Sequence, residues 1–214
     1  MKTGILFDLD GTLLDTLEDL LDATNVALAH FGCPARTLPE LRSFVGNGAR
    51  NQLRLSLPGR ADDPELEQVL AYYKDYYSGH CQNKTAPYPG VMEALAELGE
   101  YPIAIVSNKP DAAVKKLCAE HFPGIYALGE SADCPRKPAP DMVFRAMKEI
   151  GVEKCVYVGD SEVDIRTARN AGMPCVCVLW GFRDRPVLEA EGGEYFCESA
   201  GELAAVIGAI CHGK

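Results

Sequence analysis

Gly4-Ile5-Leu6-Phe7-Asp8-Leu9-Asp10-Gly11-Thr12-Leu13-Leu14-Asp15-Thr16 decides the fold. An apolar run ends in two carboxylates, one residue apart, followed by a glycine. Short apolar runs that stop at a turn read as buried strands. Side chains alternate along a strand, so Asp8 and Asp10 leave on the same face, with Cα atoms about 6–7 Å apart. A pair of acids at a strand end is ordinarily a solvated cap. Here Ile5, Leu6, Phe7 and Leu9 leave little water beside them, and burying two like charges is costly. A divalent cation resolves the conflict, because magnesium takes hard oxygen ligands and one or two carboxylates. Gly11 permits a tight turn and could present N–H groups to an anion.

Beyond this stretch the pattern is helical. Leu17, Leu20, Leu21, Thr24, Leu28 and Phe31 recur at helical spacing and Gly32 stops the run. Shorter helices are expected over 39–44 and 49–57, separated by the turn Val45-Gly46-Asn47-Gly48. A fourth starts at Asp63-Pro64 and carries Leu66, Val69, Leu70, Tyr73 and Tyr77 on one side. The tyrosines read as core packing. Lys84 to Gly90 is a Pro- and Gly-rich connection.

From Val91 onward helices alternate with apolar strands at 103–107, 126–128, 155–158, 175–179 and 195–197. That alternation predicts an α/β fold, a Rossmann-like parallel sheet with helices on both faces. The all-helical block is then an insertion. The expected division is an α/β core over 1–14 and 86–214 and a helical unit over 15–85.

Ligands of open parallel sheets bind beyond the carboxyl ends of the strands. The first strand delivers Asp8 and Asp10 there, the second Ser107-Asn108-Lys109, and the fourth Gly159-Asp160-Ser161, with Asp164 one turn later. Lys137-Pro138 lies in the loop after the third strand. Singly, these are a turn, a solvated lysine and a helix cap. Together at one edge they outrun turn chemistry.

The net charge is −10, with 31 acidic against 21 basic residues, which disfavours nucleic acid and anionic membranes as partners. The 9 cysteines form no CxxC pair and read as reduced thiols of a cytoplasmic protein. No signal peptide or transmembrane stretch is expected. The four histidines are scattered and suggest no metal site.

The segments Asp8 to Asp15, Ser107-Asn108, Lys137-Pro138 and Gly159 to Asp164 resemble the four motifs of the haloacid dehalogenase superfamily. Asn83-Lys84-Thr85, Tyr88-Pro89-Gly90, Ser107 to Pro110, Lys137 to Asp141 and Asp160 to Met173 are similar to its phosphoglycolate phosphatase branch. The resemblance implies a magnesium-dependent phosphatase of small phosphorylated metabolites with a helical cap, as monomer or homodimer. It implies that Asp8 is the nucleophile and Asp10 the general acid and base; spacing alone cannot order the two. Mg2+ would lie on Asp8, Asp160 and the Asp10 carbonyl. Lys137, Ser107 and the N–H groups of Gly11 and Asn108 would bind the phosphoryl oxygens, with Asp164 orienting a water or Lys137. Substrate choice would fall to Arg42, Asn47, Gly48, Arg50 and Lys109, with Arg50 gripping a second anionic group. Alternatives are a sugar phosphomutase or pyrophosphatase of the same fold, or a phospho-acceptor regulatory domain.

Overall fold

The computed structural model describes residues 2–57, 59 and 65–212. The expected cap of the fourth helix at Asp63-Pro64 lies outside them. The opening stretch forms β1 (Thr3–Phe7), which ends one residue before Asp8. A two-residue strand, β2 (Leu14–Asp15), leads out of the sheet into α1 (Leu17–His30), α2 (Leu38–Phe44), α3 (Gly48–Ser56) and α4 (Glu65–His80). The chain returns through β3 (Ala86–Pro87), antiparallel to β2, so outgoing and incoming strands form one narrow ribbon. This ribbon was not legible in the sequence, where Ala86-Pro87 read as a connection.

The alternating part follows as expected, with α5 (Val91–Glu97), β4 (Ile103–Pro110), α6 (Asp111–His121), β5 (Tyr126–Glu130), α7 (Asp141–Glu149) and β6 (Lys154–Gly159). Then come α8 (Glu162–Ala171), β7 (Cys175–Val178), α9 (Arg185–Ala190), β8 (Tyr195–Cys197) and α10 (Leu203–His212). The sequence reading passed over α9, although Asp184 caps it and Pro186 sits in its first turn. The six-stranded sheet has the order β5-β4-β1-β6-β7-β8, with every pairing parallel. Neighbouring strands therefore all deliver their carboxyl ends to one edge.

Alternation along β1 builds the two layers. Ile5 and Phe7 pack with α5, α6 and α10 through Val91, Val114, Leu117 and Ile207. Leu6 faces the other way, onto Met142, Val143 and Ala146 of α7 and Ala168 of α8. The first core continues without a break into the helical block, through Leu20, Leu28, Leu53, Val69 and Tyr73. Burial on both sheet faces explains why the strands read as continuous apolar runs.

One buried carboxylate ties the block to the returning chain. Asp19 on α1 is 2% exposed. It accepts hydrogen bonds from the Thr85 amide at 2.9 Å, the Thr85 hydroxyl at 2.8 Å and the Lys84 amide at 3.0 Å. Asp19→Ala strands three donors and should cost about 2–4 kcal/mol. Urea unfolding of the variant measures this; a loss under about 0.5 kcal/mol, the ordinary size for an indifferent surface site, would show that water replaces the carboxylate.

Candidate active site

Four adjacent strands supply the site. Asp8 follows β1 directly, and its amide donates to the Val158 carbonyl of β6 at 2.9 Å, which fixes the position of the acid. β4 pairs regularly with β5 as far as Val106, then slips before Pro110. Ser107, Asn108 and Lys109 occupy that irregularity, with Lys109 turned to Asp10 and the Asn108 amide to the carbonyls of Gly46 and Lys137. β6 ends at Gly159 and hands Asp160 to the edge, and the first turn of α8 adds Asp164.

At the centre stands Lys137, 1% exposed. Its ammonium lies 2.8 Å from Asp8 Oδ1, 2.8 Å from Asp164 Oδ1 and 3.0 Å from the Tyr157 hydroxyl. Asp164 spends its other oxygen on the Ser161 hydroxyl at 2.6 Å and the Ser161 amide at 3.1 Å. Asp160 accepts from the Phe182 amide at 2.7 Å and from the Thr12 hydroxyl at 3.3 Å. Oxygens of Asp8, Asp160 and Asp164 all lie within 4.8 Å of one another. No other such cluster occurs among the described residues.

These charges are unbalanced. Burial pushes the Asp8 carboxyl up to about 7 against the pull of Lys137. Burial, with the fields of Asp164 and Asp8, holds Asp160 well above the usual carboxylate range. Burial alone would lower Lys137, but Asp164 and Asp8 outweigh it and keep the ammonium far up its scale. Two of the three buried acids share Lys137, and the three make a donor set of hard oxygens that fits a magnesium ion on Asp8 and Asp160.

Asp10 takes a separate partner. Lys109, buried, donates to both its oxygens at 2.7 and 2.9 Å. A cavity of about 40 Å³ opens over Asp8 and Asp10. Ser107, Asn108 and Lys109 form its floor, and Gly46, Gly48, Ala49, Gln52, Tyr73 and Tyr77 of the helical block its roof.

Several expectations change. The Gly11 amide donates to the Leu14 carbonyl at 2.9 Å and is therefore not open to a phosphoryl oxygen. Gly11 serves instead through its φ of +84° and its closeness to Asp160, whose carboxylate lies 2.4 Å from where a Cβ would stand. Arg50 points away from the cavity, 2.8 Å from Glu67 Oε1 on the outer surface. Arg42 bonds the Gly181 carbonyl and Asp184, both at 3.0 Å, and ties the block to the sheet edge rather than to a ligand. Gly48 lines the cavity, whereas Asn47 does not.

Sequence reasoning missed Arg183, Gln52, Tyr73 and Tyr77. Arg183 donates to the carbonyls of Arg42 and Val45 at 2.8 Å and pairs with Glu162 beside the acidic cluster. Nothing local marked it, because the carbonyls it holds are more than a hundred residues away and Glu162 is 21 away. The tyrosines were visible as a helical stripe, but the same stripe is core and cavity wall at once.

Lys137→Met leaves Asp8 and Asp164 buried without their cation. Without added metal, chemical denaturation should show a loss of about 3–5 kcal/mol. A loss under about 1 kcal/mol, within reach of ordinary single substitutions, would mean the acids do not depend on this ammonium.

The chain is similar to known proteins. A family model described as haloacid dehalogenase-like hydrolase matches residues 5–178. A phosphoglycolate phosphatase of Mesorhizobium japonicum is 37% identical over 199 residues, 87% of each chain. One from Rhodobacter capsulatus is 36% identical over 196 residues, 87% of this chain and 89% of that one. A solved structure from Lactobacillus delbrueckii subsp. bulgaricus superposes with a TM-score of 0.89 at 38% identity, over 97% of this chain and all of that one.

Proposed function

This chain belongs to the haloacid dehalogenase-like hydrolases, and we propose that it is a magnesium-dependent phosphatase of 2-phosphoglycolate. The observation that carries the reading is Asp8 held by Lys137 beside a cavity, with Asp10 next to it and Asp160 within reach of the same ion. In this reading residues 15–85 are a cap over a core of residues 1–14 and 86–214.

Asp8 is the nucleophile. Its oxygen forms a bond to phosphorus while the ester bond breaks, giving an aspartyl-phosphate. Asp10 gives a proton to the departing alkoxide, and later takes one from the water that hydrolyses the intermediate. Lys137 neutralises Asp8 and the transferring oxygens, and the Ser107 hydroxyl and Asn108 bind the rest, so that most of the catalysis is preorganised charge. Asp164 positions Lys137, to which it gives one oxygen. Asp8, Asp160 and the Asp10 carbonyl would hold Mg2+, which when bound offsets the charge of the phosphoryl group.

The substrate is argued from the relatives, which are phosphoglycolate phosphatases at 36–37% identity. A phospho-acceptor switch needs no covered chamber. No two of the nine cysteines, all among the described residues, are joined in a disulfide, consistent with a reducing cytoplasm.

Asp8→Asn should lower phosphate release from 2-phosphoglycolate by at least about 10³-fold, with circular dichroism unchanged. Residual turnover near wild type would remove Asp8 from its role. EDTA should abolish activity and Mg2+ restore it. Activity indifferent to the chelator would take the metal out of the mechanism.

A further inference from the structure

Lys109 and Tyr77 face each other across the cavity, one from the sheet edge and one from α4. Lys109 is 5% exposed and Tyr77 2%. The Lys109 ammonium sits 4.8 Å from the centre of the Tyr77 ring, a favourable cation–π distance. Among the described residues, the only hydrogen bonds of that ammonium go to Asp10. The Tyr77 hydroxyl is buried with no hydrogen-bond partner. A buried hydroxyl left unpaired is costly, and Tyr77 lines the cavity, so a polar group bound there would pair it.

We propose that Lys109 and the Tyr77 hydroxyl form the subsite for a carboxylate on the substrate, and that Lys109 leaves Asp10 when this carboxylate binds. The inference rests on the phosphatase reading above and adds to it the group that recognises the far end of the substrate. One ammonium and one hydroxyl match a small, planar, singly charged acceptor. A second phosphoryl dianion would bring more charge than the subsite offsets.

The exchange has a mechanistic consequence. While both Asp10 oxygens accept from Lys109, one lone pair on each is taken and the carboxylate is held toward Lys109. A carboxylate that takes over the ammonium frees them. A phosphate ester with a neutral tail leaves Lys109 on Asp10, so it is handicapped in turnover as well as in binding. Selectivity is then written into kcat, which a merely structural lysine would not produce.

The test compares 2-phosphoglycolate with ethyl phosphate, which carries a methyl group where the former has its carboxylate. Wild-type enzyme should prefer 2-phosphoglycolate in kcat/KM by about 10- to 100-fold, the size of a charged hydrogen bond, with part of the difference in kcat. In Lys109→Met that preference should collapse to about unity. An equal fractional loss on both substrates would overturn the proposal and leave Lys109 a general support of Asp10. Calorimetric titration of Asp8→Asn, alone and with Lys109→Met or Tyr77→Phe, reads the subsite without turnover. A preference for 2-phosphoglycolate that each second substitution weakens supports the subsite, even if the wild type hydrolyses neither ester and the phosphatase reading fails. Equal binding of the two ligands by Asp8→Asn refutes the subsite, even if the wild type hydrolyses both.

Discussion

The contact between the Lys137 ammonium and two carboxylates, Asp8 and Asp164, is the constraint to which the rest of the structure answers. A lysine at 1% exposure is tolerable only when its charge is met. Asp164 meets it from the first turn of α8, braced by Ser161. Asp8 meets it from the end of β1. The same contact fixes the loop between β5 and α7 against the neighbouring strands. Asp160 then stands in excess, a third buried acid that makes no ion pair among the described residues, eased by the Phe182 amide and the field of Arg183. That excess is costly for folding and, in the proposed reading, useful for chemistry, because it offers a place for a divalent ion beside Asp8. Sites that trade stability for reactivity in this way are common in enzymes.

The parallel topology makes the convergence inexpensive. Strands β4, β1 and β6 are adjacent, so residues separated by about a hundred positions reach one edge simply by ending their strands. The slip in β4 and the tight turn at Gly11 provide the local adjustments. Over this edge the helical block is pinned from below. Arg183 holds the carbonyls of Arg42 and Val45, Arg42 holds Gly181 and Asp184, and Asn108 reaches the Gly46 carbonyl at 3.3 Å. These hydrogen bonds fall on residues 42–46, the segment whose turn ends at the cavity. Closing the cover and shaping the site are therefore one set of contacts.

The parts legible in the sequence are those written locally. Apolar runs ending in Asp8, Ser107 and Asp160 marked strand ends, and the stripe from Leu66 to Tyr77 marked a buried helix face. The strand ends before Asp8 and Asp160 and the helix face survive in the structure, whereas β4 runs past Ser107 to Pro110. What escaped depends on distant pairing. Arg50 looked like an anion grip beside a glycine turn, but α4 offers it Glu67 first. The Gly11 amide looked open, but the chain folds back and Leu14 takes it. Lys109 could be named as a candidate, whereas its pairing with Asp10 required β4 to lie next to β1. Periodicity reports which face a residue occupies; it cannot report which partner is waiting on that face.

The account turns on Asp8 becoming covalently phosphorylated during turnover. Acid quenching of enzyme mixed with radiolabelled 2-phosphoglycolate, followed by digestion and peptide mapping, measures this directly. The label should reside on Asp8 and should be absent from Asp8→Asn. Label on Asp10 or Asp160, or unlabelled protein during active phosphate release, would contradict the account.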